Sequence, residues 1–282
     1  MVAKFWQAKD RHIQCTLCPH MCKIKQNTHG LCTARKNTNN NLIAESYGKI
    51  TSIALDPIEK KPLYMFHPNA LVLSIGSYGC NFHCPFCQNH TIAMPNSSLT
   101  LNILTPEDVL EMAQKTIPQG NIGVAFTYNE PLISYEFIYD CAVLLKQVGL
   151  KTILVTNGFI SPKPLQELLP LIDAMNIDLK GFTQEFYNHV GGNLSPVKET
   201  IKAAAVSCHV EITTLVIPNE NEDHVEPIAR WIASINPSIP LHLSRFFPRN
   251  KYTNRQSTPH DTMFNQAEAA KKHLKHVFLG NM

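Results

Sequence analysis

Residues 70–90 read ALVLSIGSYGCNFHCPFCQNH, an apolar run that breaks at Gly76 and leads into Cys80, Cys84 and Cys87 at C-x3-C-x2-C spacing. The run is short and bounded by turn residues, which predicts a buried strand with the cysteines in the loop that follows it. The nearest other cysteines are Cys32 and Cys141, so three thiols stand together without a local fourth. Four-iron cubanes normally take four thiolates, and three leave one iron open to an outside ligand. A catalytic zinc with three protein ligands, or a structural site closed by a distant cysteine, competes with that account. His83 and His90 lie close by and read most simply as exposed loop histidines.

Working outward, further short apolar runs occur at NIGVAFTY (121–128), KTILVTNG (151–158), AMNIDLKG (174–181), HVEITTLVIP (209–218) and PLHLSRFFP (240–248). Helical patterns separate them, such as TPEDVLEMAQKTI with its Thr cap and Pro in the first turn, and SYEFIYDCAVLLKQVG ending in Gly. Strand alternating with helix predicts an α/β fold with a parallel sheet, and six strands suffice for a partial (β/α)6 TIM-like barrel. Barrel chemistry sits at the C-terminal strand ends. The residues there are the cysteine loop, Asn129 and Glu130, Thr156 and Asn157, Asp178 and Lys180, and Arg245. No G-x-G-x-x-G or Walker sequence follows any strand, which argues against a dinucleotide or nucleoside triphosphate enzyme.

A chain of 282 residues, 44% hydrophobic, can bury one large core. A net charge of +3 is too balanced for nucleic-acid binding without a basic stripe. The N-terminus lacks the apolar region of a secretory signal, and no run of membrane-spanning length occurs, so a cytoplasmic protein is expected. In such a reducing compartment nine cysteines argue for metal ligands or redox groups where they cluster, and against a disulfide framework. Cys141 and Cys208 lie in apolar settings and read as small buried hydrophobes.

Residues 1–70 are more polar and are expected to form a separate cysteine-rich module, with the barrel over 71–282. Cys15, Cys18, Cys22 and Cys32 have C-x2-C-x3-C-x9-C spacing, and four thiolates close a metal site completely. Zinc and an auxiliary 4Fe-4S cluster both fit this second metal site, which the poorly hydrophobic module is expected to need for folding.

The three-cysteine loop after the first strand, with the aromatic Phe86 between Cys84 and Cys87, resembles the radical S-adenosylmethionine (SAM) superfamily. The segments CTLCPHMCKIKQNTHGLCTARKN, LDPIEKKPLYMFHP, AFTYNEP, VTNGFI, NIDLKGF and HLSRFFPRNKY are similar to the radical SAM component of the AmmeMemoRadiSam system, within the set related to pyruvate formate-lyase activating enzyme. Longer members of that group continue past Gly280 and Asn281 with a further cysteine pair, whereas this sequence ends at Met282.

That resemblance implies a 4Fe-4S cluster on Cys80, Cys84 and Cys87 whose open iron is chelated by SAM. Reductive cleavage then gives methionine and a 5′-deoxyadenosyl radical that abstracts hydrogen from a substrate, the hard chemistry belonging to the cofactors. It implies cofactor-binding roles for Asn129 and Glu130 near the methionyl amine, for Asp178 and Lys180 near the carboxylate, and for Thr156 and Asn157 near the ribose or substrate. Arg245 is expected on the substrate side. An electron donor of the flavodoxin or ferredoxin kind is implied, together with either Memo-like and AMMECR-like proteins or a glycyl radical enzyme. Outside this class, a non-catalytic interaction protein stapled by zinc, or an electron carrier, would leave Glu130, Asp178 and Lys180 without a shared purpose.

Overall fold

The computed structural model of the protein describes residues 1–94 and 101–282. Eight strands form the main sheet: β1 (Ser52–Pro57), β2 (Leu71–Gly76), β3 (Asn121–Phe126), β4 (Lys151–Thr156), β5 (Ala174–Asp178), β6 (His209–Val216), β7 (Leu241–Arg245) and β8 (Val277–Gly280). Their spatial order is their sequence order. β2 to β8 run parallel, and β1 pairs antiparallel with β2. Every crossover therefore advances in one direction, as in a barrel, without the reversal of a doubly wound sheet.

The six expected strands are β2 to β7. β1 and β8 extend the sheet at its two edges, and helices Gln184–Val190 and His260–Lys271 add to those expected. The helix Pro106–Lys115 begins as its sequence implies, with Thr105 and Asp108 forming a reciprocal capping box. β2 and β3 are almost continuously buried, because a parallel strand is covered on both faces. Among the described residues, no helix is long and apolar enough to cross a membrane.

The expected boundary at residue 70 falls inside the main architecture. β1 lies before it, and residues after β1 enter the barrel, where Ile58 and Leu63 pack on Val72, Ala125, Ile153 and Ala174. At that N-terminal end of the strands the fully buried Glu211 accepts hydrogen bonds from the Tyr64 and Met65 amides at 3.0 and 2.8 Å. It also accepts from His209 Nε2 at 2.9 Å and His242 Nε2 at 2.5 Å. The LDPIEKKPLYMFHP segment thus stoppers the barrel opposite the cysteine loop.

The N-terminal residues form a three-stranded antiparallel sheet, Trp6–Lys9, His12–Cys15 and Lys23–Ile24, and a hairpin of Arg35–Thr38 with Asn41–Ala44. Asn39 and Asn40 turn the hairpin at φ of 51° and 55°, the left-handed pair that a tight two-residue turn demands. This segment is not held by cysteines alone. Ile13, Leu17, Ile24, Leu42 and Ala44 are buried in the same continuous core as the barrel.

Candidate active site

At the C-terminal ends of the strands a cavity of about 240 Å³ is lined by Cys80, Cys84 and Cys87 together with Glu130, Asp178 and Lys180. Asn129, Thr156 and Asn157 line it too. The structure therefore brings together nine of the ten side chains expected at the barrel mouth.

Arg245 is the exception. It is not among the described lining residues: its Nε donates to the Thr258 carbonyl at 2.6 Å and its guanidinium lies 4.8 Å from the Phe247 ring centroid. The cause is strand parity. Successive β7 side chains point to opposite faces, so His242 reaches Glu211 and Ser244 lines the cavity, while Arg245 faces away.

Asn129 anchors the approach to the cysteine loop. Its Oδ1 accepts from the Ser77 amide at 3.0 Å, and its Nδ2 donates to the Gly79 and Tyr78 carbonyls at 3.0 and 3.2 Å. Glu130 is buried and acts as a brace between strand ends. Its carboxylate accepts from Thr156 Oγ1 at 2.6 Å, the Asn157 amide at 2.7 Å and the Leu132 amide at 3.0 Å. Burial pushes its carboxyl up to about 7, although these three donors and Lys180 oppose the shift. Asn157 carries the network to the thiols, its Nδ2 lying 2.8 Å from Asn81 Oδ1 and 3.9 Å from Cys80 Sγ. The Phe82 amide also donates to Cys80 Sγ at 3.3 Å. Hydrogen bonds to sulfur are one way in which a protein sets the potential of a thiolate-bound centre.

Lys180 Nζ lies 2.9 Å from Asp178 Oδ2. Burial disfavours its charge, but Asp178 and the nearby Cys84 and Cys80 outweigh that and raise its pKa. Burial pushes the Cys84 thiol up to about 11, with Lys180 pulling the other way. The cavity thus holds three thiols against one retained ammonium.

Tyr128 had no assigned role, and its neighbours explain how it is placed. It adopts φ of 72°, uncommon for a bulky residue, and a Cβ on Gly76 would lie 2.7 Å from its ring. Gly76 therefore makes room for the ring, whose hydroxyl donates to Asp56 Oδ2 at 2.9 Å. Asn81, Ser244 and Asn281 were also missed, being short polar residues with no motif of their own.

A model of the radical SAM superfamily matches residues 74–232. An uncharacterized protein of Methanocaldococcus jannaschii is 40% identical over 97% of this chain and 82% of its own length. A putative glycyl-radical enzyme activating enzyme of the same organism is 24% identical over 73% of this chain and 79% of its own. Among solved structures, Streptococcus suis SuiB bound to SAM has a TM-score of 0.58 at 13% identity, covering 75% of this chain and 51% of that one.

Enzymes of this superfamily use a 4Fe-4S cluster and SAM. Among the described residues, no three His, Cys, Asp or Glu side chains are grouped closely enough to hold a metal ion. Three thiols on a common cavity are the donors that a four-iron cluster takes when one iron is left open, and they lie beside a lysine. The family match covers more than half of the sequence and begins on the strand that delivers the three cysteines, and the chain belongs to the radical SAM superfamily.

Proposed function

We propose that the protein is a radical initiator of the AmmeMemoRadiSam type, which abstracts a hydrogen atom from a substrate held at the barrel mouth. The observation that carries this reading is the convergence of Cys80, Cys84, Cys87 and the Asp178–Lys180 pair on one cavity. When bound, the cluster and SAM supply reductive homolysis of the sulfonium S–C5′ bond and hence a hydrogen-abstracting radical.

The chain's own residues hold and orient. Cys80, Cys84 and Cys87 are the cluster ligands, and as thiolates they release their protons when they ligate. Lys180 offers an ammonium to the carboxylate of SAM, with Asp178 fixing its position. Glu130 and Asn129 contribute by rigidity: one ties together the ends of β3 and β4, and the other clamps residues 77–79 ahead of Cys80. The Tyr128 ring and the stoppered barrel beneath it limit water from below.

The resemblance to a putative glycyl-radical enzyme activating enzyme supports a second substrate reading, a glycyl residue on a partner protein. Both readings share the initiating step. Anaerobic reconstitution with iron and sulfide, reduction with dithionite and addition of SAM should yield 5′-deoxyadenosine and methionine. Absence of both from a chain carrying a reduced cluster would overturn the proposal.

A further inference from the structure

The proposed reaction needs an electron from outside the chain, and one face of the cysteine loop lies open to a donor but not to a substrate. Residues 249–252 close over the outer side of that loop. Asn250 Nδ2 donates to the Cys84 carbonyl at 3.3 Å, and the Lys251 amide donates to the Pro85 carbonyl at 2.9 Å. Asn250 takes up the turn at φ of 53°, a left-handed conformation that Asn tolerates. Tyr252 is buried, with its ring centroid 6.0 Å from that of Phe86 in the same loop. Its hydroxyl donates to Glu220 Oε1 at 3.0 Å and lies 2.6 Å from His189 Nε2. The segment is thus pinned to the loop by backbone and side chain together.

The charges on this segment divide. Arg255 is engaged internally, paired with Glu220 and lying over the Tyr252 ring at 3.7 Å. Arg249 and Lys251 are exposed, and among the described residues neither forms an ion pair with a carboxylate. His83, exposed on the cysteine loop, has Lys251 and His20 as its charged neighbours and no carboxylate to offset them. His20 also lines the small pocket shared by Cys15, Cys18, Cys22 and Cys32, so a rim of basic side chains runs from that pocket to residue 251.

None of His83, Arg249, Asn250, Lys251 and Tyr252 is among the described residues that line the active cavity. A molecule seated on the rim therefore meets the cysteine loop from outside, where it cannot present a C–H bond to a radical formed in the cavity. An electron needs no such opening, because it passes through bonds and hydrogen bonds, and the rim is hydrogen-bonded to the carbonyls of Cys84 and Pro85. An uncompensated basic rim attracts an acidic surface and speeds its encounter. We propose that Arg249 and Lys251, beside His83, dock an acidic one-electron carrier protein on the outer side of the Cys84–Pro85 loop. The role of that carrier as reductant rests on the proposed function, whereas the docking does not. One electron leaves its low-potential centre, which ends oxidised by one electron. That electron is consumed in cleaving the sulfonium S–C5′ bond, and no proton moves.

The test uses the full chain, reconstituted anaerobically, with an acidic flavodoxin as the probe. Binding of oxidised flavodoxin is measured by titration calorimetry at low and high salt, and SAM cleavage is driven either by reduced flavodoxin or by dithionite. The wild-type chain should bind flavodoxin more weakly as salt rises, because exposed charges are screened. Arg249→Glu with Lys251→Glu should weaken binding and slow flavodoxin-driven cleavage by about ten-fold or more, and leave dithionite-driven cleavage unchanged. Lys272→Glu with Lys275→Glu makes the same change in net charge at exposed positions just before β8, at the opposite end of the barrel, and should behave as the wild type.

No binding by the wild-type chain at low salt, or equal affinity in the Arg249 and Lys251 double variant, would overturn the docking surface. Equal weakening by the Lys272 and Lys275 pair would overturn it too, leaving only an effect of net charge. Weakened binding with an unchanged flavodoxin-driven rate would overturn the carrier's role as reductant. Binding lost in the double variant, with no 5′-deoxyadenosine from the wild type under either reductant, would instead count against the proposed function alone.

Discussion

Arg35 and Glu136, 101 residues apart in sequence, meet in an ion pair in which Nη2 of Arg35 lies 2.7 and 2.6 Å from the two carboxylate oxygens, with both side chains 1% exposed. Arg35 belongs to the N-terminal hairpin and Glu136 to the helix Tyr135–Gln147. Arg35 Nε and Nη1 donate to the Ile133 and Lys4 carbonyls, so the guanidinium is satisfied on every side that matters for burial. Removing one partner leaves a charge buried and unpaired. Arg35→Ala is expected to cost about 3–5 kcal/mol in urea unfolding, and the double variant Arg35→Met with Glu136→Leu much less. Equal losses in both would mean that packing, not charge, holds the hairpin.

Cys84→Ala should abolish 5′-deoxyadenosine formation, because it removes one of the three thiols on the cavity. Any metal held by the N-terminal cysteines should remain, since Cys84 does not line their pocket. Full SAM cleavage by this variant would end the three-thiolate reading.

Lys180→Met should raise the KM for SAM more than it lowers kcat. Loss of a charged hydrogen bond of roughly 1.5–3 kcal/mol corresponds to about ten- to a hundred-fold in affinity. A variant with unchanged KM would place the cofactor carboxylate elsewhere.

Glu130→Gln keeps the shape of the brace but turns one acceptor into a donor facing the Asn157 amide. A loss of about 1–3 kcal/mol is expected at neutral pH. The Glu130 carboxyl, raised by burial to about 7, binds its proton more tightly in the folded chain than in the unfolded one. Its favourable contribution is therefore full below about 4.5 and fades as the pH rises through 7, a dependence that the Gln variant should lack. Urea unfolding of both proteins from pH 4 to 8 checks this.

Glu211 predicts the opposite slope. Burial would raise its pKa, but the hydrogen bonds from His209, His242 and the Met65 amide outweigh that and lower it to about 2. A depressed carboxylate contributes stability above its unfolded value near 4.5, which is lost as the pH falls through 2. The contribution is of order 3 kcal/mol at neutral pH. Glu211→Gln should be less stable than the wild type at pH 6, and the gap should narrow by pH 2.5. A constant gap would mean that the carboxylate charge is not what closes the barrel.

Strand parity explains which of the expected strand-end residues share the cavity and which does not. Asp178 and Lys180 share one parity at the end of β5, and both reach the cavity. Arg245 sat at the right strand end with the wrong parity, which the inward placement of His242 three residues earlier exposes. Asn129 and Glu130 line the cavity, but their side chains are engaged with backbone groups of neighbouring loops. Pattern cannot reveal those partners, because they come from other strands. β8 escaped notice because VFLG is too short to display a period.

The sequence by itself determined the strand and helix alternation, the cysteine spacing and hence the superfamily, since these depend on local periodicity and on which side chains can ligate iron. Only the tertiary structure decided that residues 52–67 belong to the barrel, that Glu130 braces strand ends, and that Asn81 lies between two cysteine sets. Those relations join groups far apart in the chain. They are fixed by the packing of a shared core and by the need of each buried polar group to find a partner, neither of which local sequence encodes.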